Sequence, residues 1–195
     1  MKKKYLLDLV HRVSQLTSIA TPVIVGSQSL FAITDDVPDA VRDSIECDFM
    51  LASGGIEAIQ VVNETLGIIS EFSAAHGYYA DGLGLATVVL VPGWEDRLQP
   101  LIDQEGQVVA RCLELHDAAV SKLMAGREKD FDFISALLDR ELVSIETLME
   151  RAALIQNAPS AAALLPRLRA LLNWLRKAGT HHDLRPLRDL IDRLT

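Results

Sequence analysis

The chain has 195 residues and a mass of 21.4 kDa, enough for one ordinary domain or a domain with a helical appendage and too little for two large ones. Hydrophobic residues at 49% and charged residues at 24% exclude global disorder, and a net charge of −8 argues against a dedicated nucleic-acid binder. The charge is uneven: residues 1–150 carry 11 basic and 24 acidic side chains, a net of −13, whereas residues 151–195 carry 8 and 3, a net of +5. The basic tail reads first as a solvated, arginine-rich helical face.

Cys47 and Cys112 are far apart and sit in apolar runs, so neither a disulfide framework nor a CxxC metal site is expected. No segment approaches the roughly 18 uninterrupted apolar residues of a membrane span. The basic start, Met1-Lys2-Lys3-Lys4, is followed by Asp8, His11 and Arg12, which interrupt any apolar core of a signal peptide. The expected location is cytoplasmic, with no membrane partner.

Leu6, Leu7, Val10, Val13 and Leu16 share helical spacing and predict a first amphipathic helix. Pro22-Val23-Ile24-Val25 then reads as a short buried strand ending in the Gly26-Ser27 turn, with a helix beginning over Gln28–Ile33. Thr34–Asp43, with four aspartates and Pro38, is expected to be an exposed loop. Ser44–Met50 alternates polar and apolar with period two, the mark of a half-buried strand, and Ser53-Gly54-Gly55 breaks it.

A helix is expected over Ile56–Ala75 and a loop over Gly77–Gly84. Thr87–Val91 is a β-branched strand candidate stopped by Pro92-Gly93. Leu98–Ile102 and Val108–Leu113 are expected to flank the turn Asp103–Gly106. From His116 the pattern becomes helical, over 117–125, 131–138, 144–155, 161–177 and 183–194. The expected fold is α/β (α+β): a small mixed β-sheet with packed helices over residues 1–115, then a helical C-terminal bundle over 116–195.

Side chains two apart on a strand share a face, so Glu46 and Asp48 lie side by side while Cys47 and Phe49 point to the core. Two such carboxylates repel unless a cation sits between them, and an oxygen-only donor set suits Mg²⁺. Backbone N–H groups at a glycine turn and a serine hydroxyl form an anion-binding corner. The order strand, Gly-Ser, helix, then strand with Glu-x-Asp resembles the signature of the nucleotidyltransferase (polymerase β-like) superfamily.

Within that superfamily the chain resembles the DUF6036-type bacterial family, similar to AbiEii-type toxins. The resemblance is carried by Val23–Leu30, by Ser44–Asp48, by Gly77–Gly82 with Pro92–Leu98, and by Leu115–Leu123 with Ala125–Phe131. It implies that Gly26 and Ser27 hold nucleotide phosphates and that Glu46 and Asp48 bind Mg²⁺. It further implies that Lys122, Arg127 and Lys129 neutralise a triphosphate or an acidic acceptor, with Asp130 orienting one of them. The partners implied are an NTP, an RNA or protein hydroxyl acceptor and an antitoxin-like protein.

Active members of the superfamily add a third carboxylate from a later strand. Thr87–Val91 and Val108–Ala110 contain no acid, which leaves Asp81, Glu95, Asp96 and Glu114 as candidates. Two functions are therefore expected: transfer of NMP from an NTP, or a degenerate protein that binds a nucleotide or partner without turnover. Other features have plainer readings. His116-Asp117 opens a helix, with the acid at its positive end. Tyr78 and Tyr79 pack under the loop as readily as they stack on a base. His181-His182 offers two imidazoles with no cysteine or third histidine nearby in sequence and reads as a pair of loop histidines.

Overall fold

The computed structural model describes residues 1–157 and 160–195. Residues 1–88 and 95–114 form one compact unit, and residues 89–94 and 115–195 form the other. No helix among the described residues is long and apolar enough to cross a membrane.

The first unit is built on a five-stranded mixed sheet in the order β3-β2-β1-β5-β4, where β1 is Val23–Ile24, β2 Glu46–Met50, β3 Tyr79–Leu83, β4 Gln99–Ile102 and β5 Val108–Cys112. The central β1 runs antiparallel to β2 and parallel to β5, while β2 and β3 are parallel and β4 and β5 antiparallel. The β4–β5 hairpin turns at Gly106, whose φ of 80° favours glycine, and the Asp103 carboxylate accepts from the N–H groups of Glu105 and Gln107.

Helix α1 (Lys3–Thr17) buries Leu6, Leu9, Val10 and Val13 at helical spacing and packs against α3 (Gly55–Leu66) and β5. With Ile24, Phe49, Leu101 and Cys112 these side chains are fully removed from water, each contributing about 1.5–3 kcal/mol of burial for the larger apolar groups.

Several expected elements differ. The single helix expected over Ile56–Ala75 is two, because α3 stops at the extended Gly67 and Ser70 caps α4 (Glu71–His76), its hydroxyl accepting from Ser73 N–H. The loop expected over Thr34–Asp43 contains the short helix α2 (Asp39–Arg42), started at Pro38 and closed by an Asp39–Arg42 ion pair. The helix expected from Gln28 is a 3₁₀ turn over Ser27–Ala32. The β-branched run Thr87–Val91 forms no strand: Thr87 is exposed, Val88, Val89 and Leu90 are half-buried and Val91 alone is fully buried, with residues 89–94 grouped in the helical unit. The loop expected over Gly77–Gly84 contains β3.

The second unit is helical: α5 (Leu115–Ala125), α6 (Glu128–Asp139), α7 (Ile145–Ala153), α8 (Ala161–Lys177) and α9 (Arg185–Arg193). Helix α5 packs on α6, α7 and α8, and α9 closes against α7 and α8. Its core gathers Leu123, Ile134, Leu137, Leu148, Leu168 and Leu190, all fully buried.

Candidate functional site

The Gly26 turn and the acids of β2 are in contact. Val25 N–H donates to the Asp48 carbonyl at 3.0 Å, which brings Gly26 under the Asp48 side chain. A Cβ at position 26 would overlap the Asp48 carboxylate and lie 2.9 Å from its Cγ, so only glycine fits while that carboxylate stays where it is. The following 3₁₀ turn is pinned from below. The Ser29 hydroxyl donates to the Ile24 carbonyl at 3.0 Å, Ser29 N–H donates to the Gly26 carbonyl at 3.1 Å, and the buried Gln28 amide donates to the Val41 carbonyl at 3.2 Å. Ser27, at the start of this turn, is half-buried.

Strand β2 presents Glu46 and Asp48 on one half-exposed face and buries Cys47 and Phe49 on the other, as its alternation predicts. The parallel register sets Glu46 beside Tyr79 and Asp48 beside Asp81. Asp81 therefore stands in a strand, on the face of the other two acids, at the interstrand spacing of about 4.8 Å from Asp48. Of the remaining candidates, Glu95 and Asp96 are exposed on the 3₁₀ turn Trp94–Arg97, and Glu114 follows β5.

The electrostatics follow from this crowding. The Tyr79 hydroxyl donates to Glu46 Oε2 at 2.9 Å. Burial, that bond and the charges of Glu46, Asp81 and Asp48 raise the Tyr79 phenol far above its ordinary range. Burial, then the charge of Glu46, raises the Asp81 carboxyl. As they stand, the ligand oxygens of Glu46, Asp48 and Asp81 do not all lie within 4.8 Å of one another.

The outer edge of β3 is held by α3. Asn63 Nδ2–H donates to the Gly82 carbonyl at 3.1 Å, and Gly82 N–H donates to Asn63 Oδ1 at 2.6 Å. One amide thus satisfies both edge-facing groups of the residue next to Asp81. Sequence reasoning named Tyr79 as a packing or stacking ring and missed its bond to Glu46, as it missed Asn63 and the strand position of Asp81. The usable signal was the alternation Tyr79-x-Asp81-x-Leu83, hidden by the glycines at 77, 82 and 84.

Tyr78 has a structural part. Its ring stacks on Tyr5 at 4.6 Å between centroids, and its hydroxyl donates to Asp8 Oδ2 at 2.9 Å. Burial and that bond push its phenol up to about 12.

Lys122, Arg127 and Asp130 meet in the helical unit. Asp130, 1% exposed, is the third residue of α6. It accepts from Arg127 N–H at 3.0 Å and from the Arg127 guanidinium at 2.8 and 3.1 Å, and Lys122 Nζ lies 3.7 Å away. Burial pushes the Asp130 carboxyl up, but the Arg127 bonds and the Lys122 charge outweigh it and hold the group below its ordinary range. Lys129 is exposed on the first turn of α6. Gly26, Ser27, Glu46 and Asp48 thus belong to the sheet unit, and Lys122, Arg127, Lys129 and Asp130 to the helical one. His116, in the first turn of α5, accepts from Ser144 N–H at 3.1 Å, and the buried Asp117 lies 3.8 Å from Arg151 Nε, so both have framework contacts.

Residues 4–164 match the protein family described as a nucleotidyltransferase of unknown function, DUF6036. No characterised protein and no solved structure is similar enough to the chain to match it.

Proposed function

Because the chain belongs to this nucleotidyltransferase family, for which an NTP is the implied substrate, we propose that it transfers a nucleoside monophosphate from an NTP to a hydroxyl of an RNA or protein acceptor. The observation that carries the reading is the pairing of Asp48 with Asp81 in register while Gly26 is held against Asp48. That pairing supplies the later-strand carboxylate that the sequence lacked at Thr87–Val91 and Val108–Ala110.

Glu46, Asp48 and Asp81 would hold Mg²⁺. The donor set is all oxygen, which suits this ion. Mg²⁺ sites use only one or two carboxylates, with water and phosphate completing the shell, so three carboxylates need not converge on one point. Bound there, the ion would neutralise the phosphates and polarise the bond to be broken.

In the proposed reaction the acceptor oxygen forms a bond to the α-phosphorus. The bond from that phosphorus to the β-phosphate oxygen breaks, and pyrophosphate leaves with its electron pair. Asp81, in register beside Asp48, would accept the hydroxyl proton. Gly26 and the Ser27 hydroxyl would orient the phosphates.

The reading is tested by calorimetric titration with each NTP, with and without Mg²⁺, alongside pyrophosphate release, for wild type, Asp48→Asn and Asp81→Asn. Metal-dependent binding lost in Asp48→Asn, with release lost in both variants, supports transfer. Binding without release from wild type supports the degenerate binder. Absence of NTP binding overturns transfer and nucleotide binding, and leaves the degenerate reading in which the fold binds a partner protein. A toxin-like or phage-defence role, with an antitoxin-like partner, rests on the AbiEii resemblance. Growth arrest on induction, absent with Asp48→Asn, is the corresponding check.

A further inference from the structure

The fold brings a third ligand to the two loop histidines. Asp139 ends α6, and His181 and His182 lie in the connection between α8 and α9, forty residues further along the chain. One ligand atom from each of the three lies within 4.8 Å of the others, the one such set of His, Cys, Asp and Glu among the described residues. The imidazoles face each other with centroids 4.3 Å apart.

The arrangement is poorly explained as hydrogen bonding. His182 Nε2 is removed from solvent and makes no hydrogen bond, although its side chain is only 19% exposed. Its neighbour is Asp139 Oδ1 at 3.4 Å. That separation equals the ligand-to-ligand edge of a tetrahedral site, about 3.4 Å for metal–ligand bonds of about 2.1 Å. An orphaned buried imidazole nitrogen at this spacing from a carboxylate oxygen has the geometry of two first ligands.

We propose that Asp139, His181 and His182 bind a divalent transition-metal ion. Two imidazoles and one carboxylate suit Zn²⁺, Co²⁺ or Ni²⁺ and disfavour Mg²⁺, which takes oxygen donors. Three protein ligands leave at least one coordination position for water or a small ligand. Both histidines line a cavity of about 550 Å³ that also receives Ser144, Glu146 and Asp183, so there is room for such a ligand. The ion would tie the end of α6 to the connection that launches α9, closing a loop of about forty residues. Both histidines lie beyond residue 164, outside the family match, so the site does not depend on the nucleotidyltransferase reading.

The test uses tag-free, full-length protein freed of metal by chelation. Zn²⁺ is titrated calorimetrically, and Co²⁺ is followed by the visible absorption of a four-coordinate site. Wild type should take up one ion at this site with a tetrahedral Co²⁺ spectrum. His181→Ala, His182→Ala and Asp139→Asn should each weaken binding by at least the roughly 10–100-fold that even an outer-shell change costs. Glu46→Gln combined with Asp48→Asn should retain the Co²⁺ spectrum, which separates this ion from one at the sheet carboxylates. A wild type without the spectrum, or one unchanged in the two histidine variants, overturns the proposal. Circular dichroism identifies any variant that fails to fold, and Asp139→Asn, at an exposed helix end, then decides.

Discussion

Asn63 grips the peptide of Gly82 from the side, donating to its carbonyl and accepting from its N–H, so helix α3 acts as a false sixth strand along one residue of the β3 edge. Removing that grip leaves two edge groups to water and frees the strand that carries Asp81. Asn63→Ala should cost about 1–3 kcal/mol in urea unfolding. It should also weaken Mg²⁺-dependent NTP binding, although Asn63 touches no ligand in the proposed site. Asn63→Asp keeps the acceptor for Gly82 N–H, loses the donor and adds charge near Asp81, so it should lower binding further than its stability loss alone accounts for.

Gly26→Ala places a methyl group where the Asp48 carboxylate now lies. The carboxylate must rotate away or the turn must shift. The expected cost is about 1–3 kcal/mol of overpacking, with far-UV circular dichroism unchanged and NTP affinity reduced to that of Asp48→Asn. An alanine variant with wild-type affinity would show that the close approach has no bearing on the site.

Asp81 gives a pH signature. Its carboxyl is raised by burial and by Glu46, so the folded protein holds that proton more tightly than the unfolded chain. The stability it contributes is present in acid and disappears as pH rises through its folded value. In chelator at about pH 7, Asp81→Asn should therefore melt above wild type, the two converging toward about pH 4, where the wild-type carboxyl is protonated. Excess Mg²⁺ should raise the wild-type melting point and leave the variant behind.

Asp130 behaves oppositely. Its carboxyl is held low by Arg127 and Lys122 against the cost of burial, so its stabilisation is present above the ordinary carboxyl range and fades as pH falls through the folded value. Asp130→Ala removes the α6 cap and leaves Lys122 beside an empty position. A loss of about 2–3 kcal/mol at neutral pH is expected from the cap and the buried bonds together, shrinking in acid.

Neither thiol should react in the native protein. Cys47 and Cys112 are fully buried, and burial pushes the Cys112 thiol up to about 12 and raises Cys47 well above its ordinary range. A thiol reagent should label both only at the rate of global unfolding, unchanged by NTP.

The strand face of Glu46 and Asp48, the Gly-Ser turn and the hairpin around Asp103–Gly106 were legible because each is written locally, in period-two alternation or turn chemistry. The same held for α8, whose leucines at 164, 168, 171, 172 and 175 repeat on one face. Three features were hidden for one reason: they depend on partners far away in the chain. Tyr79–Leu83 carries two glycines within or beside it and reads as a loop until β2 offers it a ladder. Thr87–Val91 has strand propensity but forms no strand, and of its five side chains Val91 alone is fully buried. Asp139 joins His181 and His182 only because α6 ends where the α8–α9 connection returns, and no spacing rule reaches across forty residues.

The assignment of residues 89–94 to the helical unit, between stretches of the sheet unit, means that the chain passes from one unit to the other three times. A gene break before Leu115 would therefore separate the five helices from the short segment that brings Val91 into their interior. Neither half is heritable as a cassette through one recombination point. Fusion or shuffling of this architecture would need matched cuts near residues 88, 94 and 114, so the two halves are expected to have diversified together.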